Sequence, residues 1–516
     1  MKHSLNRLLI KEDENIELIL KSPLRQDLGR LQLYMKRILQ LILFSLLIIP
    51  LHANEIDRYI FSPNGIQSVC SDEVFIRRTY ITLTGRLPQP NQVIQFLSST
   101  NTQKREILID QILNSEEYVH YMVMRWGDIL RIKSEFPSNL WPNGVQAYNR
   151  WLYEKISSNI PYNQFVSELL LSKGSNFRAP AVNFYRAFLK RTPENIYQNI
   201  SLLFLGSRKK LDDGQLCFSQ TRYKSTKEWK EEIVYVDIRV KPTVSAIKMF
   251  DGKEIRLSEN EDWRVPFVAW LTGKENSRFA GVMANRLWFW LTGKGIVQEP
   301  DDWNESNPPS NPQLMSFLTS RFIASGYDIK AMMRLILNSK AFQSEMTPKG
   351  LYIPQRLQAE VMVDALADLT GIYDSYMSRV PEPFTFYPQG TRSVNLGDAT
   401  VSSSNLELFG RVSRDVSLEG QRSNKLTSKQ LLYLTNSVEL EGRIRKSENL
   451  NRICTQNNSV EGVCNAISLM ALSRYPTKEE TALFKAYAET NKLKLRDLAN
   501  EILWTYINST EFLYNH

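Results

Sequence analysis

At 516 residues the chain is longer than one ordinary hydrophobic core organises, so two or three domains are expected. With 42% hydrophobic and 23% charged residues it has the balance of a folded soluble protein, which excludes a disordered or a membrane chain. The net charge of +9 is dispersed without a dense basic block, so nucleic acid is not indicated as a partner.

Residues 1–34 are polar and mixed and precede a good start at Met35, so they read as a non-native upstream extension. Residues 35–54, MKRILQLILFSLLIIPLHAN, run from Met35 and two cations through an apolar stretch to the small residue Ala53. That order predicts a signal peptide over 35–53 with cleavage after Ala53, and hence export to the periplasm or cell surface of a bacterium. The apolar run is short for a membrane span, so no stable span is expected after cleavage. No cysteine follows it, which argues against a lipid anchor. Export permits disulfides: Cys454 and Cys464, in CTQNNSVEGVC, are candidates for a short bridge. Cys70 and Cys217 are either a long-range pair or two buried thiols.

Helix punctuation dominates the remainder. TPENIYQNISLLFLG (192–206) offers Thr192 as N-cap, Pro193 in the first turn and Gly206 as a stop. The stretches 311–326 and 354–371 repeat this grammar, and 104–114, 143–159, 161–173, 276–292, 427–438 and 477–507 carry apolar residues at helical spacing. IVYVDIRV (233–240) alternates as a strand does, and IKMFDGKEIRL (247–257) centres on a hairpin-forming Asp251-Gly252. The expected fold is mainly α: helical domains over 54–230 and 261–516, joined by a small β-hairpin insert at 231–260. Residues 375–425 read as long ordered loops of the C-terminal half. Three helical segments end alike, in ILNSEEY (112–118), LILNSKAF (335–342) and YINSTEF (506–512). Asn114 and Asn508 are expected to cap the helices that follow, with Glu117 and Glu511 in the first turn. Related phrases, TLTGRLPQPNQ and ALSRYPTKEE, precede two of these copies, so the two ends of the chain are expected to share one helical module.

Catalytic residue types are scarce. After signal removal only His120 and His516 remain, and His120 lies in an apolar, aromatic helix, which argues against a Ser-His-Asp or Cys-His system. There is no C-x-x-C-H haem motif and no metal-ligand cluster, so neither cofactor nor metal is expected. Acids gather in GKGIVQEPDDWNESNPPSNPQ (293–313), where Asp301 and Asp302 flank Trp303 as candidates for binding or for acid-base work on glycosides. Asp302, Asn304 and Ser306 begin a calcium-loop pattern that then fails at Asn307 and Gln313. Two arginine-bearing phrases complete the candidate set: Asn285 and Arg286 in NRLWFWLTGKG, and Arg411, Arg414 and Glu419 in LELFGRVSRDVSLEGQR. Such arginines can clamp anions or sugars, or tie loops to helices through buried ion pairs.

Residues 56–230, with FIRRTYITLTGRLPQP, ILNSEEY, RWGDILR and PYNQFVSELL, resemble the cytochrome-associated domain of secreted planctomycete-type proteins known as domain of unknown function 1549. Residues 263–516, with RFAGVMANRLWFWLTGKGIV, DDWNESNPPSNPQLMSFL and LFGRVSRD, resemble its usual partner, domain of unknown function 1553. The resemblance implies an exported protein of unknown biochemical activity, often encoded beside a sulfatase-like secreted protein. Many relatives carry a haem-attachment motif after the helix corresponding to 193–205; here SRKKLDDGQLCFSQ leaves Cys217 alone, without a histidine. Thr82 and Asn311 also stand where relatives often have an acid and a histidine. The expected role is a binding or scaffold protein in envelope or polysaccharide processing, partnered by a sulfatase-like protein or an envelope polysaccharide. The alternative is a hydrolase of glycans or sulfated glycans that uses the acids and arginines of the 285–303 and 411–414 loops.

Overall fold

The computed structural model describes residues 54–60, 68–209, 211–228, 230–345, 352–378, 387–423 and 425–516. The upstream extension and signal peptide expected over 1–53 lie outside these residues. The protein is mainly helical. The first half carries α1 (Asp72–Thr84), α2 (Pro90–Ser98), α3 (Lys104–Leu113), α4 (Glu116–Ile129), α5 (Pro142–Ser157), α6 (Tyr162–Leu171) and α7 (Pro193–Leu205). After the β insert come α8 (Arg264–Leu271), α9 (Ser277–Thr292), α10 (Pro312–Ala324), α11 (Ile329–Leu337) and α12 (Ala359–Thr370). The chain closes with α13 (Ser428–Asn436), α14 (Val438–Arg445), α15 (Glu448–Gln456), α16 (Val460–Leu472), α17 (Lys478–Asn491) and α18 (Leu495–Ile507).

At Thr192, Gly206 and Asn311 the caps set the boundaries where the sequence placed them. Thr192 accepts from the amide of Asn195 at 3.3 Å, and Gly206 ends α7 at φ 56°, in the left-handed region open to glycine. Asn311 caps α10 in the same way, accepting from Leu314 at 3.0 Å. The insert is larger than expected. Strand β3 (Glu232–Val236) lies between β1 (Gly174–Ser175) and β2 (Thr221–Ser225) in an antiparallel sheet, so the β region starts ten residues before 231 and recruits the loop after α6. The Asp251-Gly252 hairpin joins β4 (Ala246–Lys248) to β5 (Glu254–Arg256). A last pair, β6 (Gln355–Arg356) with β7 (Tyr514–Asn515), ties the end of the described chain to the entry of α12.

The three matching junctions have one geometry. In each, a serine hydroxyl donates to the carbonyl three residues back: Ser115 to Ile112 at 2.7 Å, Ser339 to Ile336 at 2.5 Å and Ser509 to Tyr506 at 2.7 Å. The preceding asparagine donates to the carbonyl four residues back, at 2.9 Å from Asn114, 3.0 Å from Asn338 and 3.0 Å from Asn508. The expectation that asparagine caps the following helix is therefore corrected by one residue: Ser115 and Ser509 are the N-caps, and the asparagines close the helix before.

The shared module at the two ends is visible in side chains as well as in order. Gly85 and Ser473 both leave their helices at φ 61°. Arg86 reaches Glu117 at 3.6 Å, and Arg474 reaches Glu511 at 2.7 Å. Capping boxes open both second helices, Gln89 with Gln92 on α2 and Thr477 with Glu480 on α17. The two ends are also locked together. Arg77 Nη1 donates to Ala471 O at 2.8 Å and Nη2 to Phe512 O at 3.1 Å, while Arg78 donates to His516 O at 3.0 Å and Ser344 O at 3.0 Å. Glu55–His516 thus form one compact unit, with a hydrophobic core running from Ile56 to Leu513.

Candidate functional site

α9 carries the first two candidates on its buried face. Asn285 Oδ1 accepts from the amides of Ile296 at 2.8 Å and Val297 at 3.0 Å, and its Nδ2 donates to Val297 O at 3.2 Å. The side chain therefore replaces a strand partner for the loop that leaves the helix. Arg286, 1% exposed, donates to Leu203 O at 3.1 Å and to Asp301 Oδ1 at 3.2 Å, and its Nε lies 3.2 Å from Glu419 Oε1. Asp301 Oδ2 closes the triangle by accepting from the Glu419 amide at 2.7 Å. Burial alone would lower the Arg286 pKa, but Asp301 and Glu419 outweigh it and raise it.

Arg411 and Arg414 enter a second network. Arg414, buried and at φ 58°, donates from Nε to Asp128 at 2.9 Å, and to the carbonyls of Ile132 at 3.1 Å, Gly397 at 2.8 Å and Met124 at 3.3 Å. Gly127 makes room for it, because a Cβ there would sit 3.0 Å from the guanidinium carbon. Arg422 bridges Asp128, at 2.6 Å, to Glu360, at 2.9 Å. Arg411 lies 3.6 Å from the same Glu360 and donates to the carbonyls of Val401, Leu396 and Asp398. Burial would push the Glu360 carboxyl up; Arg422 overrides it and holds the pKa down at about 2.

Asp302 and Trp303 belong to neither network. Asp302 Oδ1 accepts from Asn304 at 3.0 Å, and Asn304 Oδ1 accepts from the Ser306 amide at 2.8 Å, so the failed calcium pattern is a chain of side-chain turns. Trp303 donates its amide to Gly206 O at 2.7 Å, lies under the Arg278 guanidinium at 5.1 Å, and packs where a Cβ on Gly281 would meet its ring at 3.0 Å. It wedges the end of α7 against α9.

The remaining sequence expectations resolve simply. His120 pairs with Glu116 at 3.4 Å and packs on Tyr153 at 5.3 Å. Cys217 sits buried in a turn of 3-10 helix (Gly214–Phe218) against α7, its thiol pushed up to about 12 by burial and by Asp212. Cys454 and Cys464 lie on successive helices, α15 and α16, and all four cysteines are free thiols. The bridge expected between Cys454 and Cys464 is thus not formed in this structure. Thr82 accepts from Asn515 Nδ2 at 2.9 Å, and Asn311 donates to Tyr59 O at 2.9 Å, so both positions carry structural hydrogen bonds.

Beside the two networks lies a cavity of about 80 Å³. Tyr121 and Arg125 of α4, Trp290 of α9, Arg356 of β6, and Glu419 and Arg422 of the loop before α13 line it. Glu419 is the one sequence candidate that faces this space. The sequence reading missed Arg125, Asp128, Glu360 and Arg422. The signal was present in RWGDILR, where an arginine and an aspartate interrupt an otherwise apolar helix on either side of a glycine.

A mainly helical protein whose two halves are joined by buried arginine networks is the class that fold and site define. Residues 62–208 match the family model PSCyt2, a protein of unknown function (DUF1549), and residues 263–488 match PSD1, a protein of unknown function (DUF1553). The chain belongs to these families, with the DUF1549 region first and the DUF1553 region second. No curated protein and no solved structure matches it. Both networks cross from one matched region to the other: Arg125, Asp128 and Leu203 lie in the first, and Arg286, Asp301, Glu360, Arg411, Arg414, Glu419 and Arg422 in the second.

Proposed function

We propose that the chain is an exported binding or scaffold protein, acting at the periplasm or cell surface in envelope or polysaccharide processing. Its partner would be a sulfatase-like secreted protein or an envelope polysaccharide. The observation that carries this reading is the state of the candidate acids and arginines. Arg286, Asp301 and Arg414 are each at most 2% exposed and are used up in ion pairs and carbonyl contacts. A hydrolase needs an acid-base pair that substrate can reach. Arg286 and Arg414 tie the two halves of the molecule together, Asp301 and Arg411 are paired within the second half, and Asp302 sits in a local turn, which favours binding. Export rests on the order of residues 35–53, and no described helix is long and apolar enough to cross a membrane.

The test is capture from native envelope extract with the chain starting at Asn54 as bait. Retention of one defined protein or glycan at stoichiometric yield is expected, with Asn54 as the N-terminus of the cell-derived chain. Release of reducing ends or sulfate from envelope polysaccharide by the pure chain would overturn the reading.

A further inference from the structure

We propose that the cavity between α4, α9 and β6 is a binding site for one oxyanion: the carboxylate, sulfate or phosphate group of a larger ligand. The inference deepens the binding reading above and rests on it. Three guanidiniums, Arg125, Arg356 and Arg422, line the space against a single carboxylate, Glu419. Arg422 is committed to Asp128 and Glu360, and Arg356 Nη2 donates to the carbonyls of Phe409 at 3.0 Å and Ser423 at 3.1 Å. Arg125 is held more loosely. Its ion pair with Glu419 spans 3.7 Å, its guanidinium lies 4.8 Å over the Trp290 ring, and the Tyr121 hydroxyl meets it from the same helix; the stacking fixes the plane of the fork, and the long ion pair leaves room beside it for a ligand.

Two further polar groups in the lining are not closely hydrogen-bonded. Trp290 Nε1 is buried and makes no close hydrogen bond; it faces the Glu419 carboxylate, whose charged form it favours, and an indole N–H can only donate. Asn515, 6% exposed, has its Oδ1 unpaired. Its Nδ2 meets Thr82 Oγ1 at 2.9 Å, and a hydroxyl serves equally as donor or acceptor, so the amide can turn and present its NH₂ to the cavity. At about 80 Å³ the space exceeds several-fold what one water needs. It is bounded by half-buried Gln355 and by exposed Ser423, where the rest of a larger ligand would leave. Guanidinium forks with an indole donor match the oxygens of an oxyanion, and bidentate geometry is where arginine gains most.

The test uses the whole mature chain and follows the melting temperature in sodium sulfate, phosphate and acetate against sodium chloride at matched ionic strength. A saturable rise with at least one of the three is expected, and which of them acts distinguishes the sources. Arg125→Gln should weaken the apparent affinity about tenfold or more, the scale of one charge-assisted fork. Trp290→Phe keeps an aromatic ring beside Arg125 and removes the N–H together with one ring of the indole, so it should weaken affinity by a smaller factor and remains decisive if the arginine variant does not fold. A rise that never saturates, or is equal in Trp290→Phe, reports exclusion of salt from the surface and overturns the inference. Partner capture that succeeds while no oxyanion acts removes this site and leaves the binding reading standing.

Discussion

Asp301 and Asp302 are neighbours in sequence with opposite surroundings, which makes them a direct test of what the acids do. Asp301 is enclosed with Arg286 and the Glu419 amide, so Asp301→Ala strands a buried guanidinium and should cost about 3–5 kcal/mol. Asp302 only accepts from Asn304 in a half-exposed turn, and Asp302→Ala should cost no more than about 1 kcal/mol. Denaturant midpoints of the two single variants check this, and equal losses would contradict the triangle. Glu360 adds a pH dependence. Its pKa is about 2 in the fold, against an ordinary value of 4.5, so its stabilisation is complete above pH 4.5 and is lost as pH falls towards 2. Glu360→Gln should lower stability at neutral pH by roughly 3 kcal/mol and flatten the acid limb of the stability profile below pH 4.5. A parallel, unflattened limb in the variant would show that Arg422 and Arg411 do not hold the carboxylate in its charged form.

The Asn-Ser junction is the element that recurs, and the structure places its cap on serine. Ser115 Oγ accepts from the Tyr118 amide at 3.2 Å, so Ser115→Ala should cost about 1 kcal/mol, whereas exposed Asn114→Ala should change stability by no more than about 0.5 kcal/mol. Thermal melts of the two variants decide it, and the reverse order would restore asparagine as the cap. Helix starts were legible elsewhere because Thr192-Pro193 and Asn311-Pro312 carry cap and first turn in adjacent residues, a purely local signal. Gln355 and Arg356 misled for the opposite reason. Local grammar continues α12 back to Pro354, but Tyr514 and Asn515 pair with these two residues and hold them extended, so the helix begins at Ala359. The same limit applies to Thr221–Ser225, a strand because Glu232–Val236 lies beside it, and to the site. Arg286, Asp301 and Glu419 were legible as a set of charges; that Asp128 would meet Arg414 and Arg422 across nearly three hundred residues was not.

On the scale of the whole molecule, sequence families divide the chain in two while the packing does not. Arg77 and Arg78, both fully buried in the DUF1549 region, find their partners among the carbonyls of Ala471, Phe512, Ser344 and His516. Asp128 pairs with two arginines of the DUF1553 region, and Arg286 of that region donates to Leu203 of the first. Separation would leave each piece with desolvated charges and no acceptors, a penalty of several kcal/mol per ion that neither half can offset. Fragments 55–230 and 231–516, made separately, are therefore expected to keep helical far-ultraviolet signal but to lose near-ultraviolet signal and a cooperative melt. Co-expression of the two should restore the melt, because the guanidinium-to-carbonyl contacts can re-form without a covalent link. A cooperative transition in either fragment alone would mean that the arginines adapt to water in the isolated half, and that the two regions are docked domains rather than one folding unit.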